Sequence, residues 1–279
     1  MKKKNPTKGF LIVATKRKQF LMGADNVKES ILDHYPEAKI TLFTEQHFID
    51  DPECQKYFRD FDHVLPTPNN TNREKMWGMA NSPYDLTFYM DADVEIISKE
   101  ISSVFDHLED GKYDMAYVNL TKEGAKHFAD WDWGPNIFDD GYKGAPDHLA
   151  HCGGVALYDT RNPLINQFMM DWYNLYLEQR GGFWTPKEFD NIKVGNFREW
   201  DQLTLWWLIY HSPKYKSLKW KFFDDNYRWN YFTSFGFPIE GGYNCHRVDS
   251  KRDYWKTDPA PVVIHYSSWM DKYGEKGFL

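Results

Sequence analysis

Short apolar runs alternate with longer amphipathic segments along most of this chain. Gly9-Phe10-Leu11-Ile12-Val13-Ala14 reads as a first buried strand. After a polar turn, Val27, Ile31, Leu32 and Tyr35 recur at helical spacing until Pro36 stops the pattern. Ile40-Thr41-Leu42-Phe43-Thr44 is the next β-rich run. Strand, helix and strand at this spacing predict a βαβ unit, in which ligands sit beyond the carboxyl ends of the strands. Ala14, Thr15 and Lys16 then stand at a ligand edge. His63-Val64-Leu65 predicts a third, short strand. Thr71 and Glu74 have capping-box spacing and predict a helix from Asn72 to about Ala80, ahead of Ser82-Pro83.

The next run, Leu86-Thr87-Phe88-Tyr89-Met90, breaks abruptly into Asp91-Ala92-Asp93 before Val94-Glu95-Ile96-Ile97. If the chain stays extended there, residues two apart leave the same face, so Asp91 and Asp93 can close on one divalent cation. An isolated Asp-x-Asp is at least as often an ordinary acidic turn. Two carboxylates directly after apolar β residues repel each other, however, and a cation between them relieves that repulsion. Arg73 and Lys75, on the helix feeding this strand, could hold an anionic ligand; the plainer alternative is a solvated basic face.

Further along, residues 113 to 120 predict another strand. The irregular stretch 122 to 147 carries Trp131 and Trp133, is too long for a simple connection, and is expected to be an acceptor-binding flap. His151-Cys152-Gly153-Gly154-Val155-Ala156-Leu157 predicts a strand whose glycines admit a close approach of ligand or mark a bulge. Asn162-Pro163 opens a helix with Leu164, Ile165, Phe168, Met169, Trp172 and Tyr176 along one face, ended by Gly181-Gly182. A second aromatic loop, 183 to 197, contains Trp184 and leads to Asp201 and Gln202 at the first turn of a helix with Leu203, Trp206, Trp207 and Tyr210. There they are either caps or side chains aimed into a cleft. Aromatic strand-like pieces fill 218 to 237, and Pro261-Val262-Val263-Ile264-His265-Tyr266 repeats the design of the acidic strand, an apolar run delivering one metal-capable group. A lone histidine is more often a hydrogen-bonded core residue than a ligand.

Composition narrows the reading. The net charge of -7 and pI near 5.8 argue against nucleic acid as a partner, because such proteins need a basic surface to displace counterions from phosphate. Aromatic residues make up 18%, well beyond what a core of 279 residues needs. That excess suits stacking on sugar faces, as well as a Trp-rich core or a partner interface. Cys54, Cys152 and Cys245 are odd in number and lack CxxC spacing, which indicates neither a disulfide framework nor structural zinc. The expectation is a cytoplasmic protein with no transmembrane segment, since no run approaches ~20 apolar residues.

Asp91, Asp93 and His265 together offer two oxygen ligands and one nitrogen, a set suited to Mn²⁺ or Mg²⁺ with positions left for a diphosphate. At this point the chain resembles the GT-A-fold glycosyltransferases, above all the family 8 type that includes glycogenin and the lipopolysaccharide galactosyltransferases. SPYDLTFYMDADVEI is similar to the strand and Asp-x-Asp of that family, HCGGVALYD to its donor-sugar strand, EWDQLTLWW to its Asp-Gln segment, and VVIHYSSWMDK to its terminal His-Tyr segment. Cys152 replaces the usual Asn, and Met270-Asp271-Lys272-Tyr273 replaces the usual Lys-Pro-Trp ending.

The resemblance implies an α/β fold with a mixed, mostly parallel central sheet flanked by helices. It implies one domain over 1–279, with a nucleotide-binding half at 1–120 and an acceptor-binding half at 121–279. Asp91, Asp93 and His265 would hold the metal. Asp91, Gly153, Gly154 and Lys272, with Ala14, Thr15, Lys16, Arg73 and Lys75 from the reading above, would hold a nucleotide-diphosphate sugar, and UDP is the expected nucleotide. Asp201 would grip the sugar, Gln202 would lie beneath the anomeric centre, and Trp131, Trp133 and Trp184 would face a glycan acceptor. Transfer to a hydroxyl would then retain configuration, whereas an inverting enzyme would use Asp132 or Asp201 as base. Two other classes stay open: a haloacid-dehalogenase-type phosphatase with Asp91 as nucleophile, and a non-catalytic glycan-binding protein.

Overall fold

The computed structural model of the chain describes residues 6–71, 73–119, 151–184, 201–224, 228–233 and 260–266. Its strands are β1 (Lys8–Ala14), β2 (Ile40–Thr44), β3 (His63–Pro66), β4 (Leu86–Met90), β5 (Val94–Ile96), β6 (Met115–Asn119), β7 (His151–Asp159), β8 (Trp220–Phe222), β9 (Tyr231–Thr233) and β10 (Val263–Tyr266). Seven of them form one sheet in the order β3-β2-β1-β4-β7-β6-β8, and β5-β10-β9 form a second. In the larger sheet β3, β2, β1 and β4 pair in parallel, β7 is antiparallel to both β4 and β6, and β8 is parallel to β6. Among the described strands of that sheet, only β7 is reversed. The mixed, mostly parallel sheet expected from the sequence is therefore present.

The helices are α1 (Lys18–His34), α2 (Gln46–Asp50), α3 (Lys75–Ala80), α4 (Asp106–Glu109), α5 (Pro163–Gly181) and α6 (Asp201–Tyr210). Strand alternation divides the core between the two faces of the sheet. Phe10, Ile12, Phe88 and Met90 pack with Leu21, Ala24, Val27 and Ile31 of α1 on one side. Leu11 and Tyr89, their neighbours in sequence, pack on the other side with Met76 and Met79 of α3, Phe168, Met169 and Trp172 of α5, and Leu205 of α6.

Helix ends follow local chemistry. α1 stops at His34 because Tyr35 precedes proline and leaves the helical region, at φ -144° and ψ 78°. Asn162 caps α5 by accepting from the Leu164 N–H at 3.1 Å, with Pro163 in the first turn. α3 differs from expectation, since its helix begins at Lys75 rather than Asn72. The Thr71 hydroxyl takes the Arg73 N–H at 3.2 Å and donates to Glu74 at 3.0 Å, while two contacts of 3.0 and 3.1 Å from the Tyr173 hydroxyl of α5 occupy the Glu74 carboxylate. The Thr71 hydroxyl is thus spent on the Arg73 N–H and the Glu74 side chain rather than on the Glu74 N–H, and Tyr173 draws on the Glu74 carboxylate as well.

The acidic strand also differs. The backbone leaves the large sheet at Met90, turns through Asp91, Ala92 and Asp93, and resumes as β5 in the small sheet. Asp91 and Asp93 therefore share no extended strand; they lie on the bend between two sheets.

Candidate active site

Three elements converge at that bend. β1 and β4 are parallel with Ile12 opposite Met90, so Ala14, Thr15, Lys16 and Asp91 all emerge at one carboxyl edge. β7 runs the other way with Val155 opposite Met90, so its amino end reaches the same edge and the Asp91 N–H donates to the Gly154 carbonyl at 2.8 Å. β10 is antiparallel to β5 with His265 opposite Val94, which sets His265 beside Asp93.

The ring Nε2 of His265 lies 3.1 Å from Asp93 Oδ1, and its Nδ1 lies 2.9 Å from Asn230 Oδ1. One ligand atom each from Asp91, Asp93 and His265 falls within 4.8 Å of the others. His265 is buried and the two carboxylates are half-buried. The Tyr89 hydroxyl donates to Asp91 Oδ1. Burial by itself lowers the His265 pKa, but the carboxylates of Asp93 and then Asp91 outweigh it and raise the pKa above 6.5. The donor set fits a hard or borderline divalent cation: two half-buried carboxylates and one imidazole, close enough to share an ion.

Next to this trio is a buried charge cluster. Lys75 Nζ lies 2.8 Å from Asp201 Oδ2, donates to the Gly153 carbonyl at 2.9 Å and sits 3.6 Å from Asp91 Oδ1. Arg73 Nη1 is 3.8 Å from Asp201 Oδ1. The Asp201 carbonyl at the start of α6 accepts from Trp172 Nε1 and the Thr204 hydroxyl, both at 2.9 Å. Burial would raise the Asp201 pKa, yet Arg73 and Lys75 hold it below the ordinary value. Lys75 is likewise kept charged: burial opposes its charge, and Asp201 and Asp91 more than compensate.

The two glycines have a specific reason. A methyl group on Gly154 would lie 2.7 Å from both Asp91 Oδ2 and His265 Cε1, and one on Gly153 would lie 2.9 Å from Asp201 Oδ2 and 3.3 Å from Lys75 Nζ. What approaches this backbone is the site's own charged side chains.

Elsewhere on the edge, the Thr15 hydroxyl donates to the Thr71 carbonyl at 2.6 Å, and the Ala14 carbonyl accepts from the Thr44 hydroxyl at 2.6 Å. Lys16 adopts φ 76° and gives its backbone N–H to the buried Glu45 carboxylate. Gln202 is half-buried in the first turn of α6, and Trp184 meets Trp207 of that helix edge to face at 5.6 Å between ring centres. Trp131, Asp132, Trp133 and Lys272 lie outside the described residues. Sequence reasoning missed Tyr89, Asn230 and Glu45. Tyr89 was findable, two residues before Asp91. Asn230 and Glu45 carry no local signal, because each acts through a strand distant in sequence.

No family model and no curated protein sequence matches the chain. By structure it is similar to the glycosyltransferase GlyE of Streptococcus pneumoniae TIGR4, with a TM-score of 0.53 and 16% identity, covering 98% of this chain and 58% of GlyE. It is similar also to the bifunctional glycosyltransferase WbbM, with a TM-score of 0.51 and 10% identity, covering 96% of this chain and 47% of WbbM. The chain thus spans little more than half the length of the first and under half of the second. LgtC aligns at a TM-score of 0.47, too distant to bear on the comparison.

The chain has the GT-A fold of glycosyltransferases. At such low identities the likeness carries the fold and leaves the reaction to the residues of the site. A phosphatase of the haloacid-dehalogenase type has a different fold, which removes that alternative. Among the described residues, no helix is long and apolar enough to cross a membrane.

Proposed function

We propose that this protein is a metal-dependent glycosyltransferase that moves a sugar from a nucleotide-diphosphate donor, with UDP the favoured nucleotide, to a hydroxyl of a glycan. One observation carries the reading: Asp91 and Asp93 on one bend, and His265 on a strand far along the chain, bring ligand atoms within 4.8 Å of one another at the carboxyl edge of this fold. Those three residues would hold Mn²⁺ or Mg²⁺. When bound, the ion supplies Lewis-acid stabilisation of the charge that gathers on a departing diphosphate, a contribution of several kcal/mol.

The chain's own residues do the rest. Asp201, paired with Lys75, offers its carboxylate to the sugar hydroxyls. Gln202, next to it, takes the position beneath the anomeric carbon. Ala14, Thr15 and Lys16 line the nucleoside end, Arg73 and Lys272 add positive charge, and Trp131, Trp133 and Trp184 form the acceptor side. Gln202 beneath the sugar favours retention of configuration. The cytoplasmic setting expected from cysteine usage is part of the same proposal.

A thermal-shift panel of nucleoside diphosphates and their sugars, with and without Mn²⁺, tests this. A rise in melting temperature that needs both nucleotide and metal supports it, and NMR of the first-formed product's anomeric proton decides retention. Glycan binding with no metal-dependent nucleotide response would sink the enzyme reading and leave a binding protein.

A further inference from the structure

The imidazole of His265 has its own holder. Asn230 immediately precedes β9, which pairs in parallel with β10 so that Phe232 stands opposite His265. From there its Oδ1 reaches His265 Nδ1 at 2.9 Å, on the side of the ring away from Asp93. Asn230 is buried, 3% exposed, and the two residues before it make several contacts of their own. Trp229 stacks on Phe223 at 5.6 Å and meets His107 and Phe88 edge to face at 5.2 and 6.4 Å. Arg228 donates to Glu100 at 2.7 Å and to the Ala260 carbonyl at 2.9 Å, and its own carbonyl accepts from the Val262 N–H at 2.6 Å. These contacts tie the 228–230 segment to the strand that carries His265.

A neutral imidazole has one N–H and one lone pair, and the partner of one nitrogen decides which is which. An acceptor on Nδ1 keeps the proton there and leaves the Nε2 lone pair facing the carboxylates. We infer that Asn230 is a positioning residue for the metal site, accepting the Nδ1–H of His265 so that Nε2 is the ligating nitrogen. The assignment rests on the metal reading above. It extends it to a residue that acts on the site through His265.

The test is Mn²⁺ binding to the whole chain, read from the electron paramagnetic resonance of free Mn²⁺, for wild type, Asn230→Leu and Asn230→Asp, with circular dichroism to show that each is folded. Loss of a partner behind a metal-bound histidine costs about 10–100-fold in metal affinity. The leucine variant is expected to weaken Mn²⁺ by that factor. The aspartate variant keeps an acceptor and loses the amide donor, so it is expected to bind at least as tightly as wild type. Equal binding by leucine and wild type overturns the assignment, and so does equal weakening in both variants, which would mean that accepting the ring proton is not what Asn230 does. A wild-type chain that binds no Mn²⁺ brings down the metal reading itself, so the two failures are distinguishable.

Discussion

Lys75 Nζ and Asp201 Oδ2 lie 2.8 Å apart with both side chains almost wholly buried, 5% and 1% exposed. A pair so far from water is costly to break, because the survivor is left as an uncompensated charge. Lys75→Met is expected to destabilise the chain by about 3–5 kcal/mol. The double variant Lys75→Met with Asp201→Asn is expected to lose less than the two single losses summed, since each change removes the other's stranded charge. Chemical denaturation of the four proteins checks this, and strict additivity would contradict the coupling.

The same pair sets an acid dependence. The folded Asp201 carboxyl titrates below its ordinary value of 3.8, held down chiefly by Arg73 and Lys75 against the effect of burial. A carboxyl depressed on folding contributes stability above its unfolded pKa and loses it as pH falls through the folded value. The stability gap between wild type and Asp201→Asn should therefore be full at neutral pH and shrink only below 3.8. A gap that narrowed near neutrality would show that some other group carries the effect.

Gly154→Ala separates the fold from the site. Its new methyl would sit 2.7 Å from both Asp91 Oδ2 and His265 Cε1. The Asp91 carboxylate is the end of a rotatable side chain and can yield, so the protein should still fold, at a cost of about 1–3 kcal/mol. The ligand that yields is then displaced from its partners, and Mn²⁺ affinity is expected to fall by at least about tenfold. Unchanged Mn²⁺ binding in the folded variant would count against Asp91 as a ligand.

Much of this was legible in the sequence, for reasons particular residues make plain. Apolar runs of strand length found β1, β2 and β4 because both faces of each are covered, leaving no polar positions to blur the pattern. Asn162, Pro163 and Gly182 marked the ends of α5 because capping chemistry is local. The path of the chain through Asp91 and Asp93 was not legible. Val94 to Ile96 looks like more of the same strand, and only its pairing with β10, far along the chain, draws it into another sheet. The start of α3 differs for a reason partly local and partly distant: Thr71 takes the Arg73 N–H instead of the Glu74 N–H, and Tyr173 engages Glu74 from a helix far along the chain. Asp201 is singled out by the sequence, but its buried pairing with Lys75 depends on α3 and α6 both packing against α5, which no local pattern records.

The central claim is that Asp91, Asp93 and His265 share one divalent cation that a nucleotide-diphosphate donor needs in order to bind. Calorimetric titration of UDP into wild type and Asp93→Asn, with and without Mn²⁺, tests it most directly, because the substitution removes a charge while leaving the shape. The account predicts UDP binding to wild type only with Mn²⁺, and loss of that binding in Asp93→Asn with little change in melting temperature. Equal, Mn²⁺-dependent UDP binding by both proteins would contradict it.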